Sequence, residues 1–172
     1  MENAIVAIIS TALIILSSVI MMMSTLQSTS KIAAAWQAMN TEFNNIRTTS
    51  ISAETDNYYG GPIEIRVINN GQSNLYDFSK WDVIAQYEDG TATYLAYTEG
   101  TVAGLNQWAV AGIDIGLGQF EIFDPGILDP GEYLRMQIKL DPELILGESA
   151  RITVVTPTGV KTQCLVTKKP LP

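Results

Sequence analysis

The sequence predicts an α+β protein: one long N-terminal α-helix followed by an antiparallel β-sandwich of Ig-like type. Three observations carry that prediction. Residues 3–30 contain no Lys, Arg, Asp, Glu, Pro or Gly. Beyond residue 62 apolar side chains recur at alternate positions between turn signals, and no second helical period follows. About eight short strands separated by such turns argue for a sandwich rather than a helix-covered parallel sheet. The expected division is residues 1–50 as helix, 51–61 as linker and 62–172 as β-domain.

Composition dictates the first element. Ile5, Val6, Ile8, Ile9, Leu13 to Leu16, Val19 to Met23 and Leu26 surround the axis rather than forming one stripe, so no ordinary surface helix could hide them. A helix over residues 3–30 would be roughly 42 Å long, against roughly 30 Å for the hydrocarbon core of a bilayer. Such a segment must end in lipid or among other helices like itself. In the second case Ile5, Ile9, Leu13, Leu16, Ile20 and Leu26 are the candidate core contacts. Glu2 is the only charged side chain before Lys31. Neither a positive n-region nor a small-residue cleavage site is visible, so the start reads as a processed N-terminus. Glu2 either sits at the positive end of the helix or pairs with a freed α-amino group, its own or a neighbour's, which would set axial register.

After Lys31 the pattern becomes periodic. Ile32, Trp36, Met39, Phe43 and Ile46 are spaced 4, 3, 4, 3, a heptad seam on one helix face. No Gly or Pro intervenes, so one helix of about 45 residues is the simplest structure. The seam packs either on the protein's own globular domain or also on neighbouring copies; the sequence leaves both open.

Residues 48–61 (TTSISAETDNYYGG) lose periodicity and end in Gly60-Gly61-Pro62, which reads as a linker. The period then becomes two. Ile63, Ile65 and Val67 precede an Asn69-Asn70-Gly71 turn, and Trp81 to Tyr87 and Thr91 to Tyr97 flank Asp89-Gly90, a favoured hairpin turn. Further strands are expected near Trp108 to Ile113 and Gln119 to Phe123. Two Pro-Gly turns in FDPGILDPGE lead into Leu134, Met136, Ile138 and Leu140. Ile152 to Val155, a Thr-Pro-Thr-Gly turn and Val160 to Val166 make a closing hairpin.

The bulk numbers exclude several functions. Ten basic against eighteen acidic residues give a net charge of −8, which argues against nucleic acid and anionic headgroups as partners. Histidine is absent and Cys164 is alone, so an internal disulfide, a zinc site and thiol–imidazole catalysis are ruled out. Cys164 lies in an apolar–polar alternation and reads as a buried, inert thiol. No nucleophile elbow, phosphate loop or dinucleotide fingerprint is present, no cofactor is implied and no enzyme activity is expected. Asp114, Asp124, Asp129 and Glu132 could hold calcium, but Asp before Pro-Gly is ordinary turn chemistry. Tyr58, Tyr59, Tyr94, Tyr97 and Trp108 are more simply core and rim than a binding face. Gly112, Gly116 and Gly118 lack the order and the following helix of a phosphate loop. No Asn-x-Ser/Thr sequon occurs.

The chain resembles archaeal-type flagellins (archaellins) and the wider type IV pilin-like superfamily. The resemblance rests on the long apolar start that becomes amphipathic, on IEIRVINNGQSNLYDFSKWDVIAQYEDG (63–90), on DPGILDPGEYLRMQIKL (124–140) and on the hairpin ITVVTPTGVK (152–161). It implies a subunit inserted in the cytoplasmic membrane, cleaved by a prepilin-type peptidase and passed to assembly machinery. The product would be a homopolymer, an extracellular cell-surface filament for motility or adhesion. Two departures stand out. Bacterial-type pilins carry their glutamate at the fifth mature position, not the second, and many archaellins have a more Gly- and Ala-rich start than MENAIVAIISTALIILSS. They keep an adhesive pilin and a membrane-anchored accessory archaellum protein, whose sandwich grips the cell envelope, as alternatives.

Overall fold

The computed structural model describes residues 2–116 and 119–171. The chain forms two compact units, Met1–Phe43 and Asn44–Pro172. Helix α1 (Glu2–Thr48) runs unbroken for 47 residues, makes up the first unit and contributes its last turn to the second. Neither Gly nor Pro interrupts it.

The second unit is an eight-stranded, mostly antiparallel sheet folded on itself. Its strands are β1 (Ile51–Thr55), β2 (Ile63–Asn69), β3 (Asp82–Tyr87), β4 (Ala92–Tyr97), β5 (Gln107–Asp114), β6 (Tyr133–Lys139), β7 (Ser149–Val155) and β8 (Lys161–Thr167). Their order is β1-β2-β6-β5-β4-β3-β7-β8. The halves β1-β2-β6-β5 and β4-β3-β7-β8 join through a short parallel pairing, Ala96↔Gln107 and Tyr97↔Trp108. On the other side β1 lies against β8, so the sandwich is nearly a closed barrel. Closure leaves few free strand edges, the usual liability of a sheet.

Alternation fills the interior. Ile63, Ile65 and Val67 of β2, Leu134, Met136 and Ile138 of β6, Val83 and Ala85 of β3, and Ile152 and Val154 of β7 point into one core. Trp81 packs edge-on against Phe78 at 5.3 Å, and Trp108 against Tyr97 at 4.9 Å.

Two local readings of the sequence need correction. Residues 51–55, taken for the start of a linker, are strand β1, paired in register from Ile51↔Asn69 to Thr55↔Ile65. ISAET has weak alternation because β1 is an outer strand of its half: Ile51 is its one buried side chain, and Ala53 packs on the core only in part. Gln119 to Phe123, expected to be a strand, contributes only an isolated Asp114↔Phe120 bridge. Gly116 and Pro125 bracket that segment too closely for a ladder to extend.

The end of α1 is clasped to the sheet by the Asn69-Asn70-Gly71 turn. Gln72 N donates to Thr48 O at 2.7 Å, and Asn70 N donates to Ser50 O at 2.9 Å. Asn69 is fully buried yet satisfied: Nδ2 donates to Ser73 O and Leu128 O, and Oδ1 accepts from Gly71 N. Gly71 must be glycine, because a Cβ there would come within 2.5 Å of Thr48 O and 2.7 Å of Ser50 N.

Candidate assembly interface

The helix carries the feature that most needs an explanation. Fourteen large apolar side chains between Ile5 and Leu26 are each 46–75% exposed. Burying the exposed half of such a side chain is worth about 1 kcal/mol, so the set represents more than about 10 kcal/mol left unrealised in water. Monomeric soluble proteins do not leave apolar surface of this extent uncovered.

Its side chains fall on more than one face. At about 100° per residue, Ile5, Ile9, Leu13, Leu16 and Ile20 share one face. Ile32, Trp36, Met39 and Phe43 lie roughly 150° away around the axis. All are exposed in the single chain, as is Ile46 in the last turn. A single partner lying along one side cannot cover both rows. Leu26 lies off the first row and is exposed as well. The side chain of Glu2 lies outside the described residues.

Most hydroxyl groups of the apolar half already donate to the helix backbone. Ser10 Oγ donates to Val6 O, Thr11 Oγ1 to Ala7 O, Ser18 Oγ to Ile14 O, Thr25 Oγ1 to Met21 O and Thr29 Oγ1 to Thr25 O, all at 2.8–2.9 Å. These side chains can therefore leave water without stranding a donor. They are also small, which lets helix backbones approach one another. The segment Ile5–Thr48 is long and apolar enough to cross a membrane, with a mean hydropathy of 2.6 in its most apolar window.

On the sheet, two of the four carboxylates that might have bound calcium are engaged otherwise. Asp114 Oδ2 is 2.7 Å from Arg135 Nη2, and its Oδ1 accepts from Gly116 N. Glu132 Oε2 accepts from Asp129 N within a turn. Among the described residues no three His, Cys, Asp or Glu side chains converge as a metal site. The aromatics do not form a face either: Tyr58 and Trp108 are buried, whereas Tyr59 and Tyr94 are exposed. Gly118, the last of the three loop glycines, lies outside the described residues. Cys164 is half-buried against the core, and burial pushes its thiol up to about 11.

Sequence reasoning missed one apolar feature outside the helix. Ile122 and Phe123 are 83% and 92% exposed, next to a well-anchored Phe120. Their apolar character mimics strand alternation, and the nearby Pro125 is the sequence signal against a strand.

A long apolar helix ahead of a nearly closed β-sandwich is the archaellin-like architecture. No protein-family model matches the chain, and no curated protein sequence matches it. Solved structures do. The archaeal flagellum of Methanospirillum hungatei strain JF1 superposes with a TM-score of 0.52 at 14% identity, covering 96% of this chain and 93% of that one. The archaellum periplasmic stator protein FlaG from Sulfolobus acidocaldarius gives 0.52 at 18% identity, covering 68% of this chain and 98% of that one. The periplasmic stator complex of FlaF and FlaG from the same organism gives 0.51 at 17% identity, covering 67% and 86%. Residues 44–172 make up about three quarters of this chain. The flagellum match must therefore extend into the helix, whereas the stator matches are short enough to lie within the sheet.

Proposed function

We propose that this chain is the repeating subunit of an extracellular helical filament of the archaellum type, without enzymatic activity of its own. The observation that carries the reading is the exposed apolar helix, whose rows of large side chains face more than one direction. Helices of that kind bury themselves by bundling with several neighbours, and the β-domains are left to water. Assembly contacts then comprise Ile5, Ile9, Leu13, Leu16, Ile20 and Leu26, followed by the seam Ile32, Trp36, Met39, Phe43 and Ile46. In such a bundle Glu2 sits at the positive helix end or pairs with an α-amino group of its own or a neighbouring copy, and the pairing would set axial register. Before assembly the same helix is held in the cytoplasmic membrane, and a prepilin-type peptidase and assembly machinery act on it there. The coverage of the flagellum match, which reaches beyond the sheet, supports this reading.

A second reading is a membrane-anchored accessory archaellum protein whose sandwich binds the cell envelope. The match to the stator protein FlaG, which covers 98% of that protein and is short enough to lie within the sheet, favours it. Electron microscopy of the purified full chain separates the two. Rods of uniform width support the filament, and single particles that persist only in detergent support the anchor.

A further inference from the structure

The loop after β5 presents a small apolar knob on a rigid base. Phe120 is fixed from three sides. Its ring lies over the Arg135 guanidinium at 4.9 Å, and it bridges to Asp114 across the loop. It also packs on Gly112, where a Cβ would come within 2.7 Å of the ring. Glu121 N donates to Ile113 O at 2.8 Å, and Ile127 N donates to Asp124 O at 3.0 Å. Between those two bonds Ile122 and Phe123 stand almost wholly in solvent. Backbone held this firmly does not need two bare apolar side chains for its own stability. Paired apolar tips of this kind serve as interface anchors. Glu121 and Asp124 flank the pair, which disfavours insertion into an anionic membrane.

A receptor for the knob must be apolar and must not be acidic. The cavity of about 370 Å³ beside Tyr87 is bordered by Glu88, Asp89, Glu143 and Glu148. The smaller one at Tyr59 is bordered by Asp56 and Glu64. Both would repel Glu121 and Asp124. A groove of about 480 Å³ is different: exposed Tyr76 and Pro157 line it over the buried Leu75 and Trp81, and its one acid, Asp77, is paired with Lys80 at 2.6 Å. Its volume suits a Phe side chain with an Ile beside it. The groove also takes in Asn45 and Thr49, which flank the seam residue Ile46 on the last turn of α1.

We propose that Ile122 and Phe123 of one copy dock into the Leu75–Tyr76–Trp81–Pro157 groove of a neighbouring copy. The contact rests on the filament reading above. Knob and groove are different surfaces of the same unit, so the contact is heterologous and propagates instead of closing a dimer. It gives the outer domains a lateral bond in addition to the one made by the helices.

Disulfide trapping in assembled filaments tests it. In a Cys164→Ala background, Asp124→Cys, which leaves Ile122 and Phe123 in place, is combined with Thr158→Cys at the groove, and separately with Thr93→Cys at the acidic cavity. Both partner sites are half-buried and lie outside the core cluster, so neither substitution removes a core side chain. Oxidised filaments of the first pair should run as a ladder of covalent oligomers on a non-reducing gel, and those of the second as monomer. Rods that give no ladder with the groove pair, or equal ladders with both pairs, would overturn the docking contact while leaving the filament reading intact. Failure of the unsubstituted chain to form rods would instead overturn the filament reading, and this contact with it.

Discussion

Gly71 shows how a single missing methyl ties the helix end to the sheet. Its Cα hydrogens lie where a Cβ would press on Thr48 O and Ser50 N. Gly71→Ala should therefore destabilise the sheet unit by about 2 kcal/mol or more, as overpacking against backbone does. Gly126→Ala, with nothing within 4 Å of its added Cβ, is the matched control and should stay within about 0.5 kcal/mol. Urea unfolding of the detergent-solubilised full chain measures both. Two glutamates give opposite pH signatures. Glu143 Oε1 accepts from Lys168 Nζ at 2.9 Å, Tyr58 Oη at 2.9 Å and Gly61 N at 3.3 Å. Those bonds hold its carboxyl below the ordinary 4.5. Its contribution is thus complete above pH 4.5 and is lost as pH falls through the lowered value; Glu143→Gln should flatten that acid limb. Glu121 is pushed up by partial burial and by Glu132, Asp124 and Asp129. Its ionisation costs stability as pH rises above 4.5, so Glu121→Gln should stabilise the protein at neutral pH and change little in acid. The raised pKa of Cys164 predicts slow labelling by a thiol reagent at pH 8 until denaturant is added.

At the scale of the element, the filament proposal stands or falls on the helix. Ile9→Asp or Leu13→Asp places a carboxylate on the aliphatic face, where an unpaired charge is far more costly than any contact it replaces. Each should abolish rods in electron micrographs while the circular dichroism of the sheet unit survives; normal fibres from either variant would contradict the helix-core account. Helices and strands were not equally legible in the sequence. Uniform apolarity across residues 3–30, with no Gly or Pro through Thr48, admits one structure, and α1 has it. Strands β2, β3, β6, β7 and β8 were legible because each buries one face and so alternates. Strand β1 was hidden because it buries little beyond Ile51, and the 119–123 segment misled because its alternation serves a looped knob. The parallel contact of β4 with β5 left no trace, since two paired positions impose no sequence pattern. The groove at Leu75 and Trp81 was equally invisible, being assembled from segments as far apart as Asn45 and Thr158.

For the whole molecule, the question is what covers the apolar helix once the β-domain stays in water. A lone span in lipid and a bundle of copies both satisfy the exposed rows. The bundle additionally uses the seam from Ile32 to Ile46, which would extend past a membrane boundary in an anchor. The direct measurement is electron cryomicroscopy of the purified full chain after detergent removal. The account predicts helical rods whose core density is a bundle of α1 helices from many copies. Discrete particles with each helix alone in its own lipid or detergent belt would contradict it.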